Sequence, residues 1–94
     1  SRNSLAMNPN GNAVLLWQNW NFTQWTLNAS TYIPGTGWQT PQVLHTSPYA
    51  HISPQVAINA QGVAMAVWAN VATESSLASL LAVKYVPGQG WQSP

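Results

Sequence analysis

The residues of this sequence that could bind a ligand are six tryptophans, nine asparagines and eight glutamines. A tryptophan ring offers an apolar face for stacking, and neighbouring amides both donate and accept hydrogen bonds. Trp20 and Trp25 stand on either side of the polar segment that contains Asn21 and Gln24. Because only 3% of the residues are charged, such a surface suits an uncharged, hydroxyl-rich molecule such as a neutral sugar. We predict a ligand-binding site of Trp20, Asn21, Gln24 and Trp25, with Glu74 as a further hydrogen-bond acceptor.

A simpler interpretation of the same residues stays open. Trp20 and Trp25 would also serve to cover one end of a folded sheet, and Glu74 is equally consistent with an isolated carboxylate on the surface. These roles require no ligand, since apolar rings and single charges occur on many protein surfaces.

The residues required for catalysis are missing. Hydrolysis of a glycosidic bond normally uses two carboxylates, and a Ser-His-Asp triad needs an acid, but the sequence has Glu74 and no aspartate. The absence of cysteine excludes thiolate chemistry and disulfides. His45 and His51 lack the acidic or cysteine partners of an ordinary metal site. We therefore predict a protein that is not an enzyme, with no catalytic residue, no metal and no cofactor.

The charge and the hydropathy limit the partners and the location. A net charge of +1 argues against binding to nucleic acid or to an anionic membrane, because both need several basic residues. No apolar run approaches the roughly 18 residues of a membrane-spanning helix. Low charge with abundant amides and tryptophans is typical of proteins outside the cytoplasm, so we predict a secreted or cell-surface protein.

An internal repeat organises the chain. Residues 5–17 and 56–68 share Ala, Asn, Gly, Ala and Trp at a constant offset of 51. Residues 25–41 and 78–94 are identical at nine of 17 positions, at an offset of 53. The change of offset indicates an insertion in the loop that contains Glu74. Four of the six tryptophans occupy two matching positions of the copies, which favours a role in packing: Trp17 matches Trp68, and Trp38 matches Trp91.

Each copy is predicted to form four strands. Asn-Pro-Asn-Gly at residues 8–11 predicts a hairpin turn, since glycine readily adopts the positive φ that such turns need. Residues 78–86 carry leucines at helical spacing, but their counterpart, residues 25–33, is rich in strand-forming Thr, Tyr and Ile, and we predict strands for both. The polar composition predicts a turn at residues 18–24, and two prolines predict a loop at residues 45–54.

The two copies resemble a known repeat. The pattern apolar-Asn-x-x-Gly-x-Ala-x-x-x-Trp, followed by Tyr-x-Pro-Gly-x-Gly-Trp-x-x-Pro, resembles the blade repeats of bacterial secreted β-propellers, of which some are lectin-like and others sialidase-like. The resemblance covers nearly the whole chain. It implies an all-β fold of two four-stranded antiparallel blades, with blade and inter-blade loop in residues 1–54 and a second, shorter blade in residues 55–94.

Two blades leave two outer faces uncovered, and propellers close with about 4–8 blades. The ring is therefore completed either by oligomerisation with other copies of the chain or by further blades of a longer chain. Blade contacts are predicted at Leu5, Val14 and Met65. The tryptophans that do not recur, the amides beside them and the near absence of charge predict a non-enzymatic, carbohydrate-binding, lectin-like module that binds a neutral glycan. The alternatives are a scaffold or protein-interaction part of a larger secreted propeller, and a non-catalytic piece of a sialidase-like enzyme.

Overall fold

The computed structural model describes residues 3–70 and 79–92, and these two ranges are all-β. Within them the chain forms nine strands: β1 (Ser4–Met7), β2 (Ala13–Trp20), β3 (Trp25–Ile33), β4 (Gly37–Trp38), β5 (Gln42–Ser47), β6 (Ile52–Ile58), β7 (Ala64–Asn70), β8 (Ser79–Val86) and β9 (Gly90–Trp91). Strands β1 to β5 form the first sheet, in which β4 and β5 pair with different halves of β3. Strands β6 to β9 form the second sheet, and every pairing is antiparallel.

The first hairpin of each sheet is closed by an asparagine side chain. Asn8 Oδ1 accepts hydrogen bonds from the backbone N–H groups of Asn10 and Asn12, at 3.0 and 2.9 Å. Asn59 Oδ1 accepts from the N–H groups two and four residues further on, at 3.0 Å each. Gly11 has φ 91°, the positive value that the asparagine-glycine motif predicts. The predicted hairpin is confirmed, and the repeat reproduces its hydrogen bonds.

The two sheets pack face to face through apolar side chains. Strand alternation places Leu16, Leu27 and Ala29 on one face of the first sheet, where all are buried. They meet Ala66, Trp68 and Val83 of the second sheet, which are also buried. Trp68 is completely inaccessible to solvent and is the largest fully buried side chain of the described residues. The core is therefore the interface between the sheets.

Two predicted connections are shorter in the structure. Strand β2 runs to Trp20, so the predicted turn at residues 18–24 is limited to residues 21–24. Most of the predicted loop at residues 45–54 is strand, with β5 running to Ser47 and β6 starting at Ile52. The boundary that the repeat placed between residues 54 and 55 lies inside β6.

Proline does not end β6 because it lies at an irregularity in the ladder. The pairing of β6 with β7 shifts register between Ile52 and Gln55, and Pro54 falls in this interval. A bulge leaves residues without ladder hydrogen bonds, so the missing N–H of proline costs nothing there. Ser53, at the same place, has a positive φ of 49°.

The stretch with leucines at helical spacing is a strand. Residues Ser79–Val86 form β8, which pairs with β7 along seven residues and with β9 at its other edge. The described residues contain no helix long and apolar enough to cross a membrane.

Candidate functional site

The structure brings Trp20 and Trp25 together at one end of the first sheet. They are directly opposite each other in the β2–β3 ladder, and their ring centroids are 5.6 Å apart with an interplanar angle of 42°. Trp20 keeps 44% of its surface exposed, whereas Trp25 is half-buried. By strand alternation the two rings share the face of Leu16 and Leu27. They continue this face of the first sheet to the end of the β2–β3 ladder, next to the turn.

The turn between the tryptophans is held by Asn21. Its Oδ1 accepts hydrogen bonds from the backbone N–H groups of Thr23 and Gln24, at 3.0 and 2.7 Å, and its own N–H donates to Gln24 O at 3.1 Å. The side-chain oxygen of Asn21 is therefore committed to the turn, and this residue offers a ligand its Nδ2 donor. Gln24 is exposed and directly precedes Trp25 in the chain. Four of the five predicted ligand-binding residues thus lie in one hairpin.

A third aromatic residue belongs to this turn and was missed from the sequence. Phe22 is 89% exposed and has a φ of 71°, a conformation that bulky residues rarely adopt. An exposed aromatic side chain held at positive φ at a loop tip is a feature that often accompanies function. The signal in the sequence was Phe22 itself, a large apolar residue in an otherwise polar turn.

Glu74, the fifth predicted residue, lies outside the described residues, as do residues 71–78 as a whole. The described residues that flank them, Asn70 and Ser79, pair with each other at the end of the β7–β8 ladder.

The four recurring tryptophans differ in burial. Trp68 is fully buried in the core and Trp91 packs against it. Their counterparts in the first sheet are less covered: Trp17 is half-buried and Trp38 is 53% exposed. Trp38 and Trp91 each also contact a tyrosine: the ring centroids of Trp38 and Tyr32 are 5.4 Å apart, and those of Trp91 and Tyr85 are 5.3 Å apart. The predicted packing role therefore describes the second copy better than the first.

The two histidines form a polar cluster with Gln18 where the chain passes from the first sheet to the second: His51, just before β6, is buried, and His45 in β5 is half-buried. His45 Nδ1 lies 2.9 Å from His51 Nε2, and His51 Nδ1 lies 3.0 Å from Gln18 Oε1. Because an amide oxygen only accepts, the proton between His51 and Gln18 belongs to His51 Nδ1, and His45 Nδ1–H then donates to His51 Nε2. Gln18 Oε1 also accepts from the His51 N–H at 2.8 Å, and Gln18 Nε2 donates to His51 O at 2.9 Å. Both rings pack on Trp68.

This arrangement keeps both histidines neutral. Burial and, to a smaller extent, the neighbouring His45 together lower the pKa of His51 to about 4. Burial also lowers the pKa of His45. The described residues contain no group of three or more potential metal ligands. The cluster's hydrogen bonds tie Gln18 of β2 and His45 of β5 to the connection that leads into β6, so its role in the described structure is to hold this connection against the first sheet.

A cleft between the sheets offers a second set of aromatic and amide groups. Tyr85 and Trp91 of the second sheet line it together with Gln39, Thr40 and Gln42 of the first. The sequence does not single out these residues as ligand candidates, because Trp91 recurs as Trp38 and recurrence favours a role in packing. Aromatic rings beside side-chain amides can stack on and hydrogen-bond to an uncharged, hydroxyl-rich molecule, as at the Trp20–Trp25 hairpin.

Comparison with known proteins gives no relative from which a function could be transferred. No family model, no curated protein and no solved structure matches this chain.

Proposed function

We propose that the chain is a non-enzymatic, lectin-like module that binds a neutral glycan at the Trp20–Trp25 hairpin, and that its two sheets are blades of a β-propeller. The observation that carries the proposal is the juxtaposition of the two indole rings at 5.6 Å, with Trp20 exposed, across a turn that contains Asn21 and Gln24. A sugar ring has an apolar face that stacks on tryptophan, and its hydroxyls bond to amides.

The charge distribution supports an uncharged ligand. Lys84 is the one charged side chain of the described residues, and it belongs to β8 of the second sheet rather than to the hairpin. A ligand at the hairpin would therefore be held by stacking and by neutral hydrogen bonds. The low charge with abundant amides and tryptophans also fits a secreted or cell-surface location.

The blade interpretation rests on the strand order. In the second sheet, and from β1 to β4 in the first, sequential strands are antiparallel neighbours, whereas β5 pairs with β3; the two sheets pack face to face. Antiparallel sheets of this strand order, packed face to face, support the interpretation as adjacent propeller blades. In the first sheet, β4 and β5 together supply the fourth strand along one edge of β3.

A protein-interaction scaffold is the second candidate. Several large apolar side chains of the described residues are more than half exposed, and such surfaces often bind proteins: Leu5, Met7, Phe22, Trp38, Val43 and Leu80. This candidate predicts binding to a protein and none to isolated glycans.

A glycan array followed by titration of the retained sugars tests the proposal. The chain is expected to retain neutral glycans, and Trp20→Ala is expected to weaken binding at least about tenfold, because it removes the exposed stacking surface. Trp25→Ala is expected to act in the same direction. The matched control is Trp38→Ala, which removes a tryptophan of similar exposure that contacts Tyr32 instead.

Two results would contradict this assignment. A chain that retains no glycan would reject the lectin-like function. Binding that is unchanged by Trp20→Ala and Trp25→Ala but is lost with Gln42→Ala would move the sugar to the cleft between the sheets.

A further inference from the structure

The two sheets dock through faces that are not equivalent in the repeat. The first sheet contributes Val14 and Leu16, whose counterparts 51 residues later are Met65 and Val67. In the second sheet, however, Met65 and Val67 point away from the interface, because the alternating Ala64, Ala66 and Trp68 are the buried residues. The contact is therefore head to tail, like that between successive units of a row.

Each covered position consequently has an uncovered counterpart. Val14 is 0% exposed and Met65 is 43% exposed, and Leu27 is 0% exposed while Leu80 is 79% exposed. On the other face of the first sheet, the exposed residue belongs to the first sheet and its covered counterpart to the second. This outer face carries Leu5, 59% exposed, at the place where Val56 packs against the core of the second sheet. The predicted contact at Val14 is present within the chain, whereas Leu5 and Met65 lie on the two uncovered faces.

The hairpin turns contact each other in the same head-to-tail direction, from the first sheet to the second. Asn8 Nδ2 donates to the backbone oxygen of Asn59 at 2.9 Å, and Asn10 Nδ2 donates to that of Ala60 at 2.7 Å. Asn59 closes its own turn as Asn8 does. Its side chain is exposed, on the side of the molecule where a following unit would lie.

We propose that a second copy of this chain docks on these faces, with the outer face of the second sheet in one copy against the outer face of the first sheet in the next. The outer face of the second sheet consists of Met65, Val67, Leu80, Ala82 and Lys84, and that of the first sheet consists of Leu5, Met7, Leu15 and Trp17. The occupant is a copy because the interface already formed within the chain joins surfaces that correspond to these two. A contact between non-equivalent faces is heterologous and propagates until the ring closes.

The repeat also specifies polar contacts of the docked copy. Asn59 Nδ2 would donate to Asn8 O of the second copy, as Asn8 does to Asn59 within the chain. Lys84 occupies the position of Thr31, which shares a crevice with Tyr85. Lys84 would therefore lie beside Tyr32 of the second copy, the counterpart of Tyr85, where a ring face can receive an ammonium group.

The contact between copies lacks one feature of the contact within the chain. Gln18, which makes the hydrogen bonds to His51, corresponds to Ala69 in the second sheet. Association is therefore expected to depend on concentration, whereas the two sheets of one chain stay joined.

The experiment measures the mass of the native particle over a range of concentrations, for the 94-residue chain and for variants blocked on one face. Met65→Asp blocks the outer face of the second sheet and Leu5→Asp that of the first. Both residues are substantially exposed, and circular dichroism checks that each variant keeps its strands. Phe22→Asp is the control, because Phe22 is 89% exposed in a turn and belongs to neither face.

Head-to-tail docking predicts that the unaltered chain and Phe22→Asp form particles that are multiples of 10.2 kDa. Each blocked variant alone is expected to be monomeric, since every contact needs both faces. A mixture of the two blocked variants is expected to form heterodimers, because one intact face of each kind remains. A chain that is monomeric at every concentration would overturn the proposal. A blocked variant that still dimerises alone would also overturn it, because the contact would then join identical faces.

Discussion

At the scale of single residues, the cluster around His51 shows how polar groups can be buried without charge. His51 is 2% exposed, and its backbone and ring are both matched by one amide, that of Gln18. Gln18 Oε1 can only accept, so His51 carries a proton on Nδ1, and its lowered pKa leaves Nε2 free to accept from His45. Nothing in the sequence placed Gln18, His45 and His51 together, because the fold brings β2 against the connection before β6, which lies 33 positions further along the chain for Gln18 and His51.

The histidine cluster predicts that the fold is weakened by mild acid. The pKa of His51 is lowered to about 4 in the folded chain, by burial and by the neighbouring His45, from an ordinary value of 6.5. Above about pH 6.5 the ring is neutral in both states, so stability is independent of its titration. As the pH falls from 6.5 towards 4, the unfolded chain binds a proton that the folded chain does not, and the free energy of unfolding decreases by at most about 1.4 kcal/mol per pH unit.

Urea unfolding between pH 8 and pH 4 measures this loss of stability, and NMR of the His51 ring protons follows the titration directly. The sequence has a single acidic side chain, Glu74, so the change above pH 5 reports chiefly on histidine. A His51 ring that titrates in the folded chain near pH 6.5 would show that the cluster does not exclude the charged form.

At the scale of strands and turns, the repeat carried most of the prediction. It supported a strand for residues 79–86 against the helical spacing of their leucines, because the first copy contains strand-forming residues at those places. It did not predict that β2 reaches Trp20. Gln18 and Asn19 look like turn residues as long as the hydrogen bond of Gln18 to His51 is unknown. The candidate hairpin was found from residue types alone, since Trp20 and Trp25 are close in sequence.

The asparagine turns allow a prediction about the contact between the sheets. Asn8→Asp keeps the oxygen that closes its turn but removes the Nδ2 donor to Asn59 O, and it is expected to lower the free energy of unfolding by roughly 1–3 kcal/mol. Asn59→Asp is the matched control, because it alters the same turn in the second sheet without removing a hydrogen bond between the sheets of the chain.

Urea unfolding of both variants, at a protein concentration where the chain is monomeric, gives the comparison. Equal destabilisation by the two substitutions would mean that the Asn8–Asn59 contact adds nothing beyond closing the turn.

At the scale of the whole molecule, the near absence of charge determines how the fold responds to solvent. With three charged side chains in 94 residues, stability depends on apolar burial and neutral hydrogen bonds. Screening by salt acts on charges, so it has little to act on here.

We expect the free energy of unfolding to change by less than about 0.5 kcal/mol when NaCl is raised from about 10 mM to about 500 mM. Sodium sulfate at the same ionic strength is the control and is expected to stabilise the fold, because sulfate strengthens apolar burial. Denaturation by urea in each salt measures both effects. A strong dependence on NaCl would mean that ion pairs contribute more than the sequence suggests.

The head-to-tail contact between the sheets also has an arithmetic consequence for how such a protein grows. Until a ring closes, a row of n units has n − 1 contacts and two bare ends, so each unit added covers one face and supplies a new one of the same kind. The total apolar area exposed on the two end faces is therefore constant, and the exposed area per unit falls as the row lengthens. A gene that duplicates one unit in frame obtains a working contact at once, because the new unit already carries both halves of it.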